Sequence, residues 1–231
     1  MSTGSIRLYV ENDLAPGVEL HATSLQAHYL CAVMRRGAGD PIILFNGRDG
    51  EWLARIGHIK RDHATLCAES QLRPQVAGLE LALVFAPLKR DATDLVIQKA
   101  TELGATAIHP ILTAHSNTQR ANLERFRSIT IEAAEQCERL DLPTLHSPLP
   151  LLQFLSQWPA EKPLAACFER SQSAPIHSRA TGLIVGPEGG FTATELDVMR
   201  RHSFVIPVSL GPLVLRAETA AIAGLALLQA H

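Results

Sequence analysis

The sequence predicts an α/β fold, with helices covering a parallel sheet, preceded by a smaller β-rich domain. Three observations predict it. Leu79 to Ala86 is a continuous apolar run, the pattern of a strand buried on both faces. From that run onward strand-like and helix-like segments alternate, the order that βαβ units impose. Before it, short strand-like runs flank a turn rich in Asn, Asp and Gly, the composition of a hairpin loop.

In the β-rich part, Ile6 to Val10 reads as a strand. Ser24 to Met34 reads as a helix, with Leu25, Tyr29, Leu30 and Val33 at helical spacing. Ile42 to Phe45 and Glu51 to Ile56 are strands around the turn Asn46 to Gly50, and Ala64 to Glu69 is one more. Together they suit a small β-barrel with one helix. Gln71 to Gly78, with Pro74 and Gly78, reads as a linker.

Beyond the linker, Asp91 to Leu103 is a helix, with Val96, Ala100 and Leu103 on one face and Gly104 as its stop. Ala107 to Leu112 is a strand and Leu123 to Arg139 a long helix. Pro163 to Phe168 and Leu183 to Gly186 are strands. Thr192 to Glu195 has the capping-box form and opens a helix to about Arg201. Phe204 to Val208 is the last strand, and Arg216 to Ala230 the last helix.

The composition narrows the function classes. The chain has 231 residues, 46% apolar and 19% charged, an ordinary globular composition. No window approaches the roughly 20 apolar residues of a membrane span. The N-terminus lacks the charged, apolar and cleavage regions of a signal peptide, so a cytoplasmic protein is expected. Net charge is −2, with 8 basic and 8 acidic residues up to Arg73 and 13 and 15 beyond it. Neither half is a basic block, so any nucleic acid would be held by a local patch and not by a global field. Cys31, Cys67, Cys137 and Cys167 are scattered and read as small apolar residues. The 10 histidines lack metal-ligand spacing, so no metal is expected.

Two loops carry chemistry. One is Gly186-Pro187-Glu188-Gly189-Gly190 and the other runs from Ser209 to Arg216. Both follow apolar strands that are expected to be neighbours, and ligands of parallel sheets sit at the carboxyl ends of strands. The first loop lacks both the dinucleotide spacing and the Gly-Lys-Ser/Thr of a phosphate loop. Glu188 would repel a polyphosphate. A ligand with a cationic body and an adenine edge, such as S-adenosylmethionine, escapes that repulsion, and glycines let the backbone approach it closely. Tight turns without a ligand are the alternative.

The segments "LIVGPEGGFTATEL" and "VSLGPLVLRAETAAIAGLALL" closely resemble signatures of the RsmE family, which methylates N3 of a uridine in 16S ribosomal RNA. "HYLCAVMRRGAGD", "IQKATELGA" and "IEAAEQCER" agree, in the same order. The resemblance covers nearly the whole chain. It implies a SPOUT-type methyltransferase domain over residues 73–231 with a C-terminal trefoil knot, and a PUA-like β-barrel RNA-binding domain over 1–72. It implies S-adenosylmethionine as cofactor, 16S rRNA in the small ribosomal subunit as partner, and a homodimer. One departure stands out. Many family members carry a basic residue where this chain has Leu213, so Leu213 is given no chemical role.

By this resemblance Gly186, Gly189, Gly190, Leu210, Gly211, Leu215 and Thr219 form the cofactor cup. Arg216 and Glu218 are the catalytic candidates. Glu218 suits a helix N-terminus on dipole grounds. A cation there is unfavourable, which makes Arg216 the stronger functional candidate. Arg7, Arg35, Arg36, Lys99 and Arg139 are candidates for RNA contact, each weighed against an ordinary surface charge. Glu135 and Gln136, beside Arg139, and Glu102, beside Lys99, share that ambiguity. Uridine N3 must lose a proton during methyl transfer. Glu218 or Glu188 could take it, or Arg216 could stabilise the uracil anion. Two rivals remain: a non-catalytic RNA-binding protein with a degenerate SPOUT domain, and an enzyme acting on a phosphorylated small molecule.

Overall fold

The computed structural model of the chain describes residues 6–116, 121–168, 176 and 180–230. Residues 1–5, part of the N-terminal stretch read for a signal peptide, lie outside the described residues. The chain divides into two compact units. One runs to Ala77 and includes Ala134–Leu142; the other comprises Gly78–Ala133 and Pro143 onward.

The first unit is built on a five-stranded sheet. Its strands are β1 (Arg7–Tyr9), β2 (Glu19–His21), β3 (Pro41–Phe45), β4 (Glu51–Lys60) and β5 (His63–Arg73), in the order β1-β3-β4-β5-β2. β1 runs parallel to β3 and the other pairs are antiparallel. Asn46 shapes the expected turn. Its carboxamide oxygen accepts from the backbone N–H groups of Arg48 and Asp49, while its Nδ2 donates to Asn12 O and Asp49 Oδ2. β5 extends through Arg73, so the first three residues of the expected linker are strand. Arg73 pairs with Glu51 across the ladder, a contact that local composition does not reveal.

The helix expected over Ser24 to Met34 is two elements. α1 (Ser24–His28) has a Thr23–Gln26 capping box, and a π-helical turn follows over Tyr29–Val33. Leu30 is buried among Ile42, Leu44, Ile56 and Leu66. Leu25, Tyr29 and Val33 are exposed, Leu25 by 83%. The inward face is instead that of Ala27 and Leu30, three residues apart, while Leu25, Tyr29 and Val33, spaced by four, share an outward one.

Arg7 is the electrostatic centre of this unit. Its Nε donates to Glu51 Oε1 at 2.9 Å, Nη1 donates to Ala134 O at 2.8 Å, and Nη2 to Arg139 O at 3.0 Å. Its guanidinium also lies 4.5 Å from the centre of the Phe45 ring. A cation facing the last carbonyls of a helix is favourable, and these belong to the end of α3 (Leu123–Gln136) and the residues after it. Burial opposes the charge on Glu51. The hydrogen bonds and charges of Arg73 and Arg7 outweigh it and hold this carboxyl below the usual range.

The second unit is a parallel sheet covered on both faces. Its strands are β6 (Ala82–Phe85), β7 (Ala107–Leu112), β8 (Thr144–Leu145), β9 (Leu149–Pro150), β10 (Leu164–Cys167), β11 (Gly182–Val185) and β12 (Val205–Val208). The order is β12-β10-β11-β6-β7-β8, with β9 also on β7. Alternate residues of the apolar run feed two cores. Leu83 and Phe85 join Leu183 and Val185 under α2 (Arg90–Glu102) and α6 (Ala217–Gln229). Val84 and Ala86 join Ala166 and Ile184 under α4 (Leu151–Gln157) and α5 (Ala193–Arg201). α6 lies tight on β11: a Cβ at Gly224 would sit 2.6 Å from Leu183 Cδ2. The short elements β2, β8, β9 and α4 have no counterpart in the sequence reading, being too brief for a periodic signal.

At the sheet edge the rings of His109 and His146 stack, with centroids 3.9 Å apart, and His109 also meets Phe154 and Trp158. Burial, with the charge of His146 as a second cause, pushes the His109 imidazole down to about 4. Between about pH 4 and 6.5 the unfolded chain binds a proton at this residue and the folded chain does not. Its contribution to stability is therefore complete above pH 6.5 and is lost as pH falls through that window.

Two outcomes are expected. Glu51→Gln leaves Arg7 buried without its counter-charge and lowers the urea-unfolding free energy by about 3 kcal/mol. Glu69→Gln, which breaks an exposed pair with Arg55, costs less than about 1 kcal/mol; equal losses would refute a special role for Arg7–Glu51. In proton NMR the His109 ring resonances stay flat from pH 8 to 5, and titration near 6.5 would contradict its burial.

Candidate functional site

Because the strands of the second unit are parallel, the carboxyl ends of β10, β11 and β12 lie at the same end of the sheet. β11 and β12 are not the neighbours that the sequence reading expected: β10 lies between them and pairs with both. Its Leu-Ala-Ala-Cys segment is small and apolar enough for burial on both faces, with Leu164, Ala165 and Ala166 all inaccessible. The two glycine loops therefore stand on either side of the end of β10.

Between them is a cleft of about 580 Å³, within the usual range for small-molecule sites. Gly186, Gly189, Gly190, Leu210, Gly211, Leu215 and Arg216, all among the expected site residues, line it. Thr219 and Glu218, in the first turn of α6, are not among the lining residues. The reading missed Cys167 and Phe168, at and just after the end of β10, and Phe191. No sequence signal gives strand order, so β10 could not be placed there. Phe191 was within reach, since it directly follows the glycines.

Local geometry explains the glycines. Gly190 and Gly211 have φ of +68° and +118°, values that side-chain-bearing residues rarely adopt. The Gly190 N–H donates to Pro187 O at 2.8 Å, which closes a turn. In the second loop the Gly211 N–H donates to Ser209 Oγ. A Cβ at Gly186 would lie 2.9 Å from the Phe191 ring, so only glycine lets that ring fold over the start of the loop. Thr192 caps α5 by the expected box with Glu195.

Among the described residues the polar side chains at the cleft are few. Arg216 is the N-terminal cap residue of α6, and its side chain caps nothing. That side chain is 86% exposed, and its Nη1 lies 3.9 Å from Glu218 Oε1, the outer limit of an ion pair. Glu218 is largely buried and sits where the helix dipole favours an anion. Glu188 is exposed on the first loop. Burial pushes the Cys167 thiol up to about 12, which favours its neutral form. Leu213 and Val214 are exposed at the rim.

The expected RNA-contacting residues are scattered. Arg7 is 7% exposed and held by Glu51 and three carbonyls. That is an interior position, which corrects its expected surface role. Arg139 is also largely enclosed, with Nε on Asp141 Oδ1 at 2.8 Å. Lys99 pairs with Glu102 at 2.8 Å, and Glu135 accepts from the Tyr9 N–H. Arg35 is exposed in a left-handed conformation, and Arg36 is half-buried beside it.

The comparisons with known proteins follow this layout. Residues 76–229 match the family described as RNA methyltransferase domain, and residues 26–66 match the RNA methyltransferase PUA domain. The ribosomal RNA small subunit methyltransferase E of Rickettsia conorii is 34% identical, over 95% of this chain and 93% of its own. The Synechocystis protein of that name is 35% identical, over 90% and 72%. A methyltransferase from Legionella pneumophila, solved with S-adenosylmethionine bound, superposes with a TM-score of 0.86 at 31% identity, covering 99% of this chain and 98% of that one. Ribosomal RNA small subunit methyltransferase E from Neisseria gonorrhoeae, also bound to S-adenosylmethionine, superposes at 0.89 with 27% identity, over 98% of each chain. The parallel sheet with its cleft, the PUA match and identity spread over almost the full length agree on one assignment: the chain belongs to the ribosomal RNA small subunit methyltransferase E family, with a SPOUT-type methyltransferase fold and a PUA domain.

Proposed function

We propose that this protein transfers a methyl group from S-adenosylmethionine to N3 of a uridine in 16S rRNA of the small ribosomal subunit. One observation carries the reading. In a chain of this family, two glycine-shaped loops flank a cleft of about 580 Å³ in which, among the described residues, Arg216 supplies the lining guanidinium. The cleft suits the cofactor: its lining is mixed apolar and backbone-rich, and Gly190 and Gly211 leave open space where a side chain would stand. Gly186, Gly189, Gly190, Leu210, Gly211 and Leu215 would hold it. When bound, S-adenosylmethionine supplies an electrophilic methyl group on a sulfonium.

The chain's own part is positioning and charge. The loops fix the line of attack on that methyl. The exposed Arg216 guanidinium reaches the rim, where it would stabilise the uracil anion at O2 or O4. Glu218, whose carboxylate lies 3.9 Å from the Arg216 guanidinium, or Glu188 would receive the N3 proton. The N3 edge is hidden in paired RNA, so the base flips outward to react. Arg35, which is exposed, and Arg36 would meet the RNA backbone, as would Lys99 on leaving Glu102. The same reading includes a homodimer, supported by the exposed apolar Leu213 and Val214 beside the cleft. It also includes the trefoil knot, 1–72 and 73–231 as the two functional domains, and a cytoplasmic site of action. No helix among the described residues is long and apolar enough to cross a membrane.

The test uses small ribosomal subunits lacking the modification, labelled S-adenosylmethionine and nucleoside analysis. N3-methyluridine is expected, with a roughly hundredfold slower rate in Arg216→Ala. Cofactor binding without transfer would refute the substrate, and unchanged transfer in Arg216→Ala would refute the role of that arginine.

A further inference from the structure

We propose that His115 is a positioning residue that holds the Gly186–Phe191 loop in its ligand-binding shape. The idea rests on the reading of the cleft as the S-adenosylmethionine site. The loop after β7 reaches past the end of β6 to the loop after β11. There His115 Nδ1 lies 3.0 Å from Gly189 O and 3.2 Å from Gly190 O. Two carbonyl oxygens can only accept, so this nitrogen must carry the proton, whether the ring is neutral or charged. One N–H thus fixes two successive peptide groups. A trans peptide points its N–H opposite to its carbonyl, so the bond to Gly190 O turns the Phe191 N–H toward the other side of the loop. His115 backs the loop from outside: both glycines line the cleft and the histidine does not.

Two further features serve the same joint. Glu195 uses one carboxylate oxygen for the Thr192 cap and the other, at 2.8 Å, for the Ala114 N–H. The loop that carries His115 is thereby tied to the helix that follows the glycines. Thr113 and Ser116 close that loop on itself, Thr113 N–H donating to Ser116 Oγ and Ser116 N–H to Thr113 O. The fit is close as well, since a Cβ at Gly189 would meet His115 Cβ at 3.1 Å. Gly189 is then needed for the approach of the histidine from behind as much as for a ligand in front.

The test compares His115→Ala, His115→Asn and His115→Gln in the full chain. Asparagine places an N–H near the ring Nδ1 position, and glutamine places one near Nε2. Two readouts are taken: amide hydrogen exchange over residues 186–192 without ligand, and the Kd for S-adenosylhomocysteine. His115→Ala and His115→Gln are expected to speed exchange and weaken binding roughly three- to tenfold, with His115→Asn restoring both. Unchanged exchange in His115→Ala overturns the clamp. Faster exchange with unchanged affinity, or an asparagine variant no better than glutamine, overturns the positioning role. If the wild-type chain binds no S-adenosylhomocysteine, the reading of the cleft fails, and the exchange pattern alone decides whether His115 holds the loop.

Discussion

The burial of β6, β10 and β11 on both faces is the constraint from which the rest of the second unit follows. Their side chains serve two cores at once, so a polar group on either face would have to give up its water. Chemistry is left only the strand ends. All these strands run the same way, and their carboxyl ends therefore lie at one end of the sheet. The tight seat of α6 on β11, where Gly224 meets Leu183, places the start of that helix, and with it Arg216, at the same end. Apolar packing thus delivers an arginine to the rim of a cleft.

The sequence made much of this legible, for definable reasons. Continuous apolar runs and capping residues are local signals, and the ends of the strand at Ala107–Leu112 and of the helix capped by Thr192 followed from them. The glycine loops were legible because each glycine answers a local demand of backbone geometry. Strand order was not, because it depends on which apolar segments lie together, and Leu164–Cys167 carries no mark of its place between β11 and β12. Cys167 and Phe168 were missed for that reason alone. Thr219 and Glu218 show a different limit: a motif names neighbours in the chain, but a helix turns successive residues by about 100°, and these two are not among the residues that line the cleft.

The arginines of the first unit show how little residue type says about role. Arg7 and Arg35 read alike in the sequence. In the structure Arg7 is enclosed by Glu51, Phe45 and the carbonyls at the end of α3, while Arg35 faces solvent. What separates them is partners 44 and 127 residues away from Arg7. A buried guanidinium requires partners for its several donors, and only a converging helix end and a cross-strand carboxylate could supply them together. Arg7 thus fixes where the residues after α3 attach within this unit, which is a folding role and leaves the surface cations to recognition.

Glu195 carries the same lesson into the site. Read locally, it completes a capping box, and that alone would justify it. Its second oxygen, though, reaches Ala114, 81 residues away, and so joins the loop of His115 to the loop of the glycines. A carboxylate has two oxygens and several acceptor positions, so one residue can satisfy a helix terminus and a tertiary contact without conflict. A glutamine could keep the cap's acceptor but would present an NH₂ group at the other position, where the Ala114 N–H needs an acceptor. The choice of glutamate over glutamine, free on capping grounds, is therefore decided by the joint behind the cleft.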